Sequence, residues 1–74
     1  MFRKIKLKKQ IRACIREINL LEQRRSRSQA ALVSAILTGT TPADDDVDYF
    51  NRYTAQINEI RDRLHQLQQE YETL

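Results

Sequence analysis

Apolar residues in the C-terminal half of the chain alternate at spacings of three and four: Phe50, Tyr53, Ile57, Ile60, Leu64, Leu67, Tyr71 and Leu74. A 3.5-residue period sustained this long keeps one narrow face of a helix in register with a second helix. The first half carries a matching row: Leu7, Ile11, Cys14, Ile18 and Leu21, then Leu32 and Ala35, widened by Ile15 and Ile36. The two rows are separated by one punctuated stretch, Thr38-Gly39-Thr40-Thr41-Pro42-Ala43-Asp44. Gly39 suits the residue after a helix end, where a left-handed backbone is needed. Thr41 is the N-cap candidate for the next helix, with Pro42 at its first position and Asp44, Asp45 and Asp46 close to its positive pole.

The pattern predicts an all-α fold, an antiparallel two-helix coiled-coil hairpin in a single domain, 1–74. The first helix is expected over about 3–38, the turn over 39–41 and the second helix over about 42–73. Folding about that turn brings together residues whose numbers sum to roughly 82, so Leu21 meets Ile60 or Arg61, Ile18 meets Leu64, and Ile11 meets Tyr71. Residues 1–6 overhang the end of the second helix in this register.

Two segments break the pattern in opposite directions. Glu22 to Gln29 contains no apolar residue, and the heptad puts Arg25 and Ser28 on the seam. The simpler reading is a polar layer that sets the register, with the Arg25 stem running along the seam to solvent. The sharper one is a site where a partner supplies the missing apolar surface. Ala30 to Leu37 is apolar around nearly the whole helix, and a helix of that kind is normally buried on every side. A hairpin covers one side only. Ala30, Ala31, Val33, Ser34 and Leu37 are therefore the expected protein interface, facing a second copy (a dimer or tetramer) or another helical protein. Oligomerisation would complete a helical bundle.

Composition supports a chain dominated by long helices, with 31% charged residues, 7% aromatic residues, one Gly and one Pro. Seventy-four residues sit near the lower limit of independent stability. One cysteine and one histidine, Cys14 and His65, provide neither an internal disulfide nor a structural zinc site. No signal peptide or membrane span is read in the chain, so a cytoplasmic location is expected.

The net charge of +3 conceals a polarity. Arg3, Lys4, Lys6, Lys8, Lys9, Arg12 and Arg16 lie in an acid-free start, while Asp44, Asp45, Asp46 and Asp48 follow the turn. In a hairpin these groups occupy opposite ends of a rod about 50 Å long. The basic end suits nucleic-acid phosphates, anionic lipid or an acidic protein partner. No nucleic-acid-binding motif accompanies the charge. Asp48 with Arg52 and Glu59 with Arg63 have the spacing of helical ion pairs.

Catalytic chemistry has no foothold in the pattern. There is no phosphate-binding glycine loop, no metal-ligand spacing and no Ser/His/Asp constellation. Cys14 falls on the apolar seam, and the register sets His65 opposite Glu17 instead. The expectation is a non-enzyme with no cofactor and no small-molecule substrate. It would act as an interaction module of the adaptor or chaperone kind. The alternative is a small basic dimeric regulator that binds nucleic acid through Arg3, Lys4, Lys6, Lys8, Lys9 and Arg12.

At the level of architecture, the Gly39 and Thr41-Pro42 turn with Phe50 and Tyr53 is similar to the small helical-hairpin co-chaperones of type III secretion needles, which work as heterodimers. The hairpin as a whole also resembles plasmid copy-control proteins that dimerise into four-helix bundles and bind RNA. Any αα-hairpin has such a turn, so both resemblances concern fold.

Overall fold

The computed structural model describes residues 2–74, and Met1 lies outside the described residues. Two helices account for nearly all of it: α1, Phe2–Leu37, and α2, Asp44–Glu72. They lie side by side in a rod with extents of 57 × 16 × 14 Å. The antiparallel hairpin expected from the two apolar rows is the fold observed.

The seam buries what the heptad says it should. Cys14, Ile18, Leu21, Ile57 and Ile60 form the core, with Tyr53, Leu64 and Leu67 packed against it. Leu7 is buried as well, and Ile57 is completely sequestered at 0% exposure. α1 runs unbroken through the polar stretch 22–29. Ser28 is buried and Arg25 half-buried, so the 3,4 spacing continues from Leu21 through both to Leu32 and Ala35. These two residues form the polar layer of the seam. No buried side-chain nitrogen or oxygen among the described residues lacks a partner.

The register holds at mid-rod, where Arg61 Nη2 lies 2.7 Å from Glu22 Oε1, one residue beyond Leu21 and Ile60 on their respective helices. At the open end the start of α1 overhangs α2, as the register requires, and the Arg3 and Lys4 side chains reach back to it. Arg3 Nη2 is 2.9 Å from Glu70 Oε1, and Lys4 Nζ sits 5.2 Å from the centre of the Tyr71 ring. The Arg61–Glu22 and Arg3–Glu70 contacts are the ion pairs found among the described residues, and both cross between helices. The Asp48/Arg52 and Glu59/Arg63 spacings are not closed into ion pairs. Such pairs on an exposed helix are worth only a few tenths of a kcal/mol, too little to hold two long side chains in one geometry.

Three seam assignments need correcting. Ile15 and Ile36 are exposed, because each lies one residue, about 100°, beyond a seam position and outside the strip that α2 covers. Leu74 is also exposed, since α2 ends at Glu72 and the last seam position falls past the helix.

The connection also differs from the predicted turn. α1 ends in a Schellman motif: Gly39 has φ 71°, its N–H donates to the Ile36 carbonyl, and the Thr40 N–H donates to the Ala35 carbonyl. The Thr38 hydroxyl adds a bond to the Ser34 carbonyl at 2.9 Å, and the Thr40 hydroxyl one to Ala35 at 3.3 Å. α2 starts two residues later than Pro42. Ala43 is its N-cap, extended at φ −65° and ψ 140°, and the Ala43 carbonyl accepts the Asp46 and Val47 N–H groups. Thr41 therefore caps nothing. The delayed start puts Asp44, Asp45 and Asp46 in the first turn, where three carboxylates meet the unpaired N–H groups and the positive pole directly. The turn is 38–43, not 39–41.

Two measurements check this packing. Ile57→Ala should lower the unfolding free energy by about 2–4 kcal/mol in urea melts followed by circular dichroism, whereas Ile36→Ala should change it by less than about 0.5 kcal/mol. Gly39→Ala meets open space but must hold a left-handed backbone, so it should cost about 1–2 kcal/mol in the same assay.

Candidate interaction surface

The outer face of α1 near the turn is left uncovered. Leu37 is 81% exposed, Ile36 70% and Val33 46%. A shallow depression of about 620 Å³ runs along this face, lined by Ser26, Gln29, Ala30, Val33, Ser34, Leu37 and Thr38. The geometry follows from helix periodicity. Ser26, Ala30, Ser34 and Thr38 repeat every four residues and form a low floor, and Val33 and Leu37 rise beside it as a ridge. Ser28, Leu32 and Ala35, which face α2, lie on the opposite side of the helix.

The depression gathers four of the five residues expected at an interface: Ala30, Val33, Ser34 and Leu37. Ala31 is not among them; it is half-buried and turned toward the seam edge. Ile36 belongs to the exposed patch, although the heptad reading gives it to the seam. Its position one residue past Ala35 was the available signal. Ser26, Gln29 and Thr38 extend the floor beyond the apolar segment, and no hydrophobicity pattern marks them.

The basic residues Arg3, Lys4, Lys6, Lys8, Lys9 and Arg12 are all exposed on α1. Arg3 and Lys4 are engaged on α2 by Glu70 and Tyr71, which leaves Lys6, Lys8, Lys9 and Arg12 as the outward-facing group. Phe2, 91% exposed, and Ile5, 52% exposed, lie among them. At the opposite end Asp44, Asp45 and Asp48 are exposed and Asp46 half-buried. Midway, Tyr49 and Tyr53 stack with ring centres 6.2 Å apart. They border a small depression with Arg24, Arg27 and Ser28, so the tyrosines shelter the polar layer of the seam.

The two residues with reactive side chains are kept in different environments. Cys14 is a free thiol in the core. His65 is exposed, its Nε2 3.2 Å from the Gln69 amide nitrogen. No cluster of three or more His, Cys, Asp or Glu side chains suited to a metal occurs among the described residues. None of the described helices is long and apolar enough to cross a membrane.

Together these features define an antiparallel helical hairpin with an outward-facing apolar strip near the turn and ends of opposite charge. Comparison with protein-family models, curated proteins and solved structures returns no match.

Because Val33 and Leu37 contribute little to the hairpin core, Val33→Asp and Leu37→Asp should leave helix content intact. Val33→Asp should lower the unfolding free energy by about 0.5 kcal/mol and Leu37→Asp, at the negative pole of α1, by about 1 kcal/mol, measured at a protein concentration low enough to suppress association.

Proposed function

We propose that this chain is a non-enzymatic, cytoplasmic protein-interaction module of the adaptor or chaperone kind. It acts by burying the outer face of α1 against another helical surface. The observation that carries this reading is the exposed row Val33, Ile36 and Leu37 on a helix whose opposite face is already used by α2. Burying Ile36 and Leu37 would each contribute roughly 1.5–3 kcal/mol, a strong incentive in a chain with so small a core of its own. The small floor residues Ala30 and Ser34 favour this face because they let a second helix approach closely, and side-chain size at the contact sets interaxial distance. The lone unpaired Cys14 is in keeping with a reducing compartment.

Light scattering on a sizing column tests the reading, together with retention of proteins from a lysate of the source cells on immobilised chain. Wild type should show either a mass above 8.8 kDa or a retained partner, and Leu37→Asp should lose it while remaining helical. A wild-type monomer that retains nothing Leu37→Asp fails to retain would overturn it.

A further inference from the structure

We propose that the outer side of α1 binds single-stranded nucleic acid, its cations holding the phosphates and the Tyr49 ring receiving a base. This goes beyond the interaction reading above and uses none of Val33, Ile36 and Leu37.

The charge of the chain is divided between the helices. α1 carries ten Lys and Arg against two acids, a formal +8, and α2 carries three against eight, a formal −5; together they make the net +3. At 3.5 residues per turn, Lys6, Lys9, Arg12, Arg16 and Arg27 fall on the side of α1 turned away from the seam, and Arg24 on the flank beside them. All six are exposed, and none is in an ion pair among the described residues. The acids of α1 lie off this side: Glu22 pairs with Arg61, and Glu17 lines a depression with Arg63. From Lys6 to Arg27 the row spans about 31 Å at 1.5 Å per residue. A line of unpaired cations of that length suits a chain of phosphates, whose condensed counterions it would release.

Toward the middle of the rod the row meets aromatic surface. Arg24 and Arg27 share a depression of about 250 Å³ with Ser28, Tyr49 and Tyr53, and no carboxylate lines it. Tyr49 is 50% exposed and stacks on Tyr53. The depression thus joins the two elements of single-strand binding, a ring on which a base can stack and cations for the adjoining phosphates.

A duplex suits this side less well. The hairpin is 16 by 14 Å across, wider than the roughly 12 Å major groove, so it would meet only the outer phosphates and leave Tyr49 without a base. A bilayer is disfavoured for another reason. A surface helix enters lipid with its apolar face, and that face of α1 is packed on α2.

Fluorescence anisotropy on the full chain, with a labelled DNA single strand of mixed sequence about 20 nucleotides long, tests this. The logarithm of the binding constant should fall against that of salt concentration with a slope of about −4, the value for six phosphate contacts to a single strand. Lys9→Gln with Arg16→Gln should flatten that slope by about 1. Tyr49→Ala should weaken binding about tenfold at an unchanged slope, and Tyr49→Phe should bind as wild type. Arg24→Gln with Arg27→Gln, which leaves the tyrosines in place, should weaken binding and flatten the slope. Each variant should keep its helix content by circular dichroism. Leu37→Asp should bind the strand as wild type does, so this proposal and the interaction reading fail on different residues.

No binding at low salt would overturn the proposal, whether the basic row then holds phosphatidylserine vesicles, an acidic protein or nothing. So would a duplex of the same length bound as tightly as the strand with no loss in Tyr49→Ala.

Discussion

Two α-helices in contact shield only a narrow strip of one another, and everything in this protein is arranged around how little that strip holds. Among the described residues Ile57 is the one side chain sealed off completely; Cys14, Ile18, Leu21 and Ile60 cluster with it, and Leu7 is buried farther along the seam. A 3.5-residue period fits such a strip because it keeps returning side chains to the same line. A large apolar side chain one step off that line is left substantially exposed. Ile15 and Ile36 are off it by one residue each, and both are exposed. The core is consequently long and thin, and its stability is spread over many shallow layers instead of concentrated in one deep one.

The parts of the structure that periodicity governs were legible in the sequence. The paired helices, the α1 seam from Leu7 to Leu32, and the polar layer at Arg25 and Ser28 all follow from counting threes and fours. Gly39 was legible for a different reason, since a left-handed backbone after a helix strongly favours glycine. The turn was harder. Thr38, Thr40 and Thr41 are chemically equivalent, and the sequence could not say whether their hydroxyls would close the first helix or open the second. The carbonyls at the end of α1 took Thr38 and Thr40. The helix start then went to the residues that carboxylate charge favours, and Pro42 was left in the connection. The exposed strip was half legible. Its apolar members stood out, but Ser26, Gln29 and Thr38, though at helical spacing from Ala30, Val33 and Ser34, are polar, and nothing in the hydrophobic pattern marks them.

The rod is polar as well as thin. Its densest run of cations, Lys6 to Arg12, and its run of carboxylates, Asp44 to Asp48, lie toward opposite ends of a 57 Å length, far beyond the distance over which salt at physiological strength lets exposed charges interact. The two ends are therefore electrostatically independent within one chain. They can recognise each other only on separate molecules, and the net charge of +3 says nothing about either. Arg3 and Lys4, which reach back to Glu70 and Tyr71, are the exceptions that tie the open end of the hairpin together.

Cys14 is the only thiol in the chain and is 5% exposed within the seam, beside Ile18 and Leu21. Little of its side chain meets solvent while the helices are packed, and full access to the sulfur requires them to part. The rate at which that sulfur is alkylated is thus a clock for hairpin opening, set into the chain without any added label. For the same reason, a disulfide-linked pair of chains would record molecules caught open, and would say nothing about how closed ones associate.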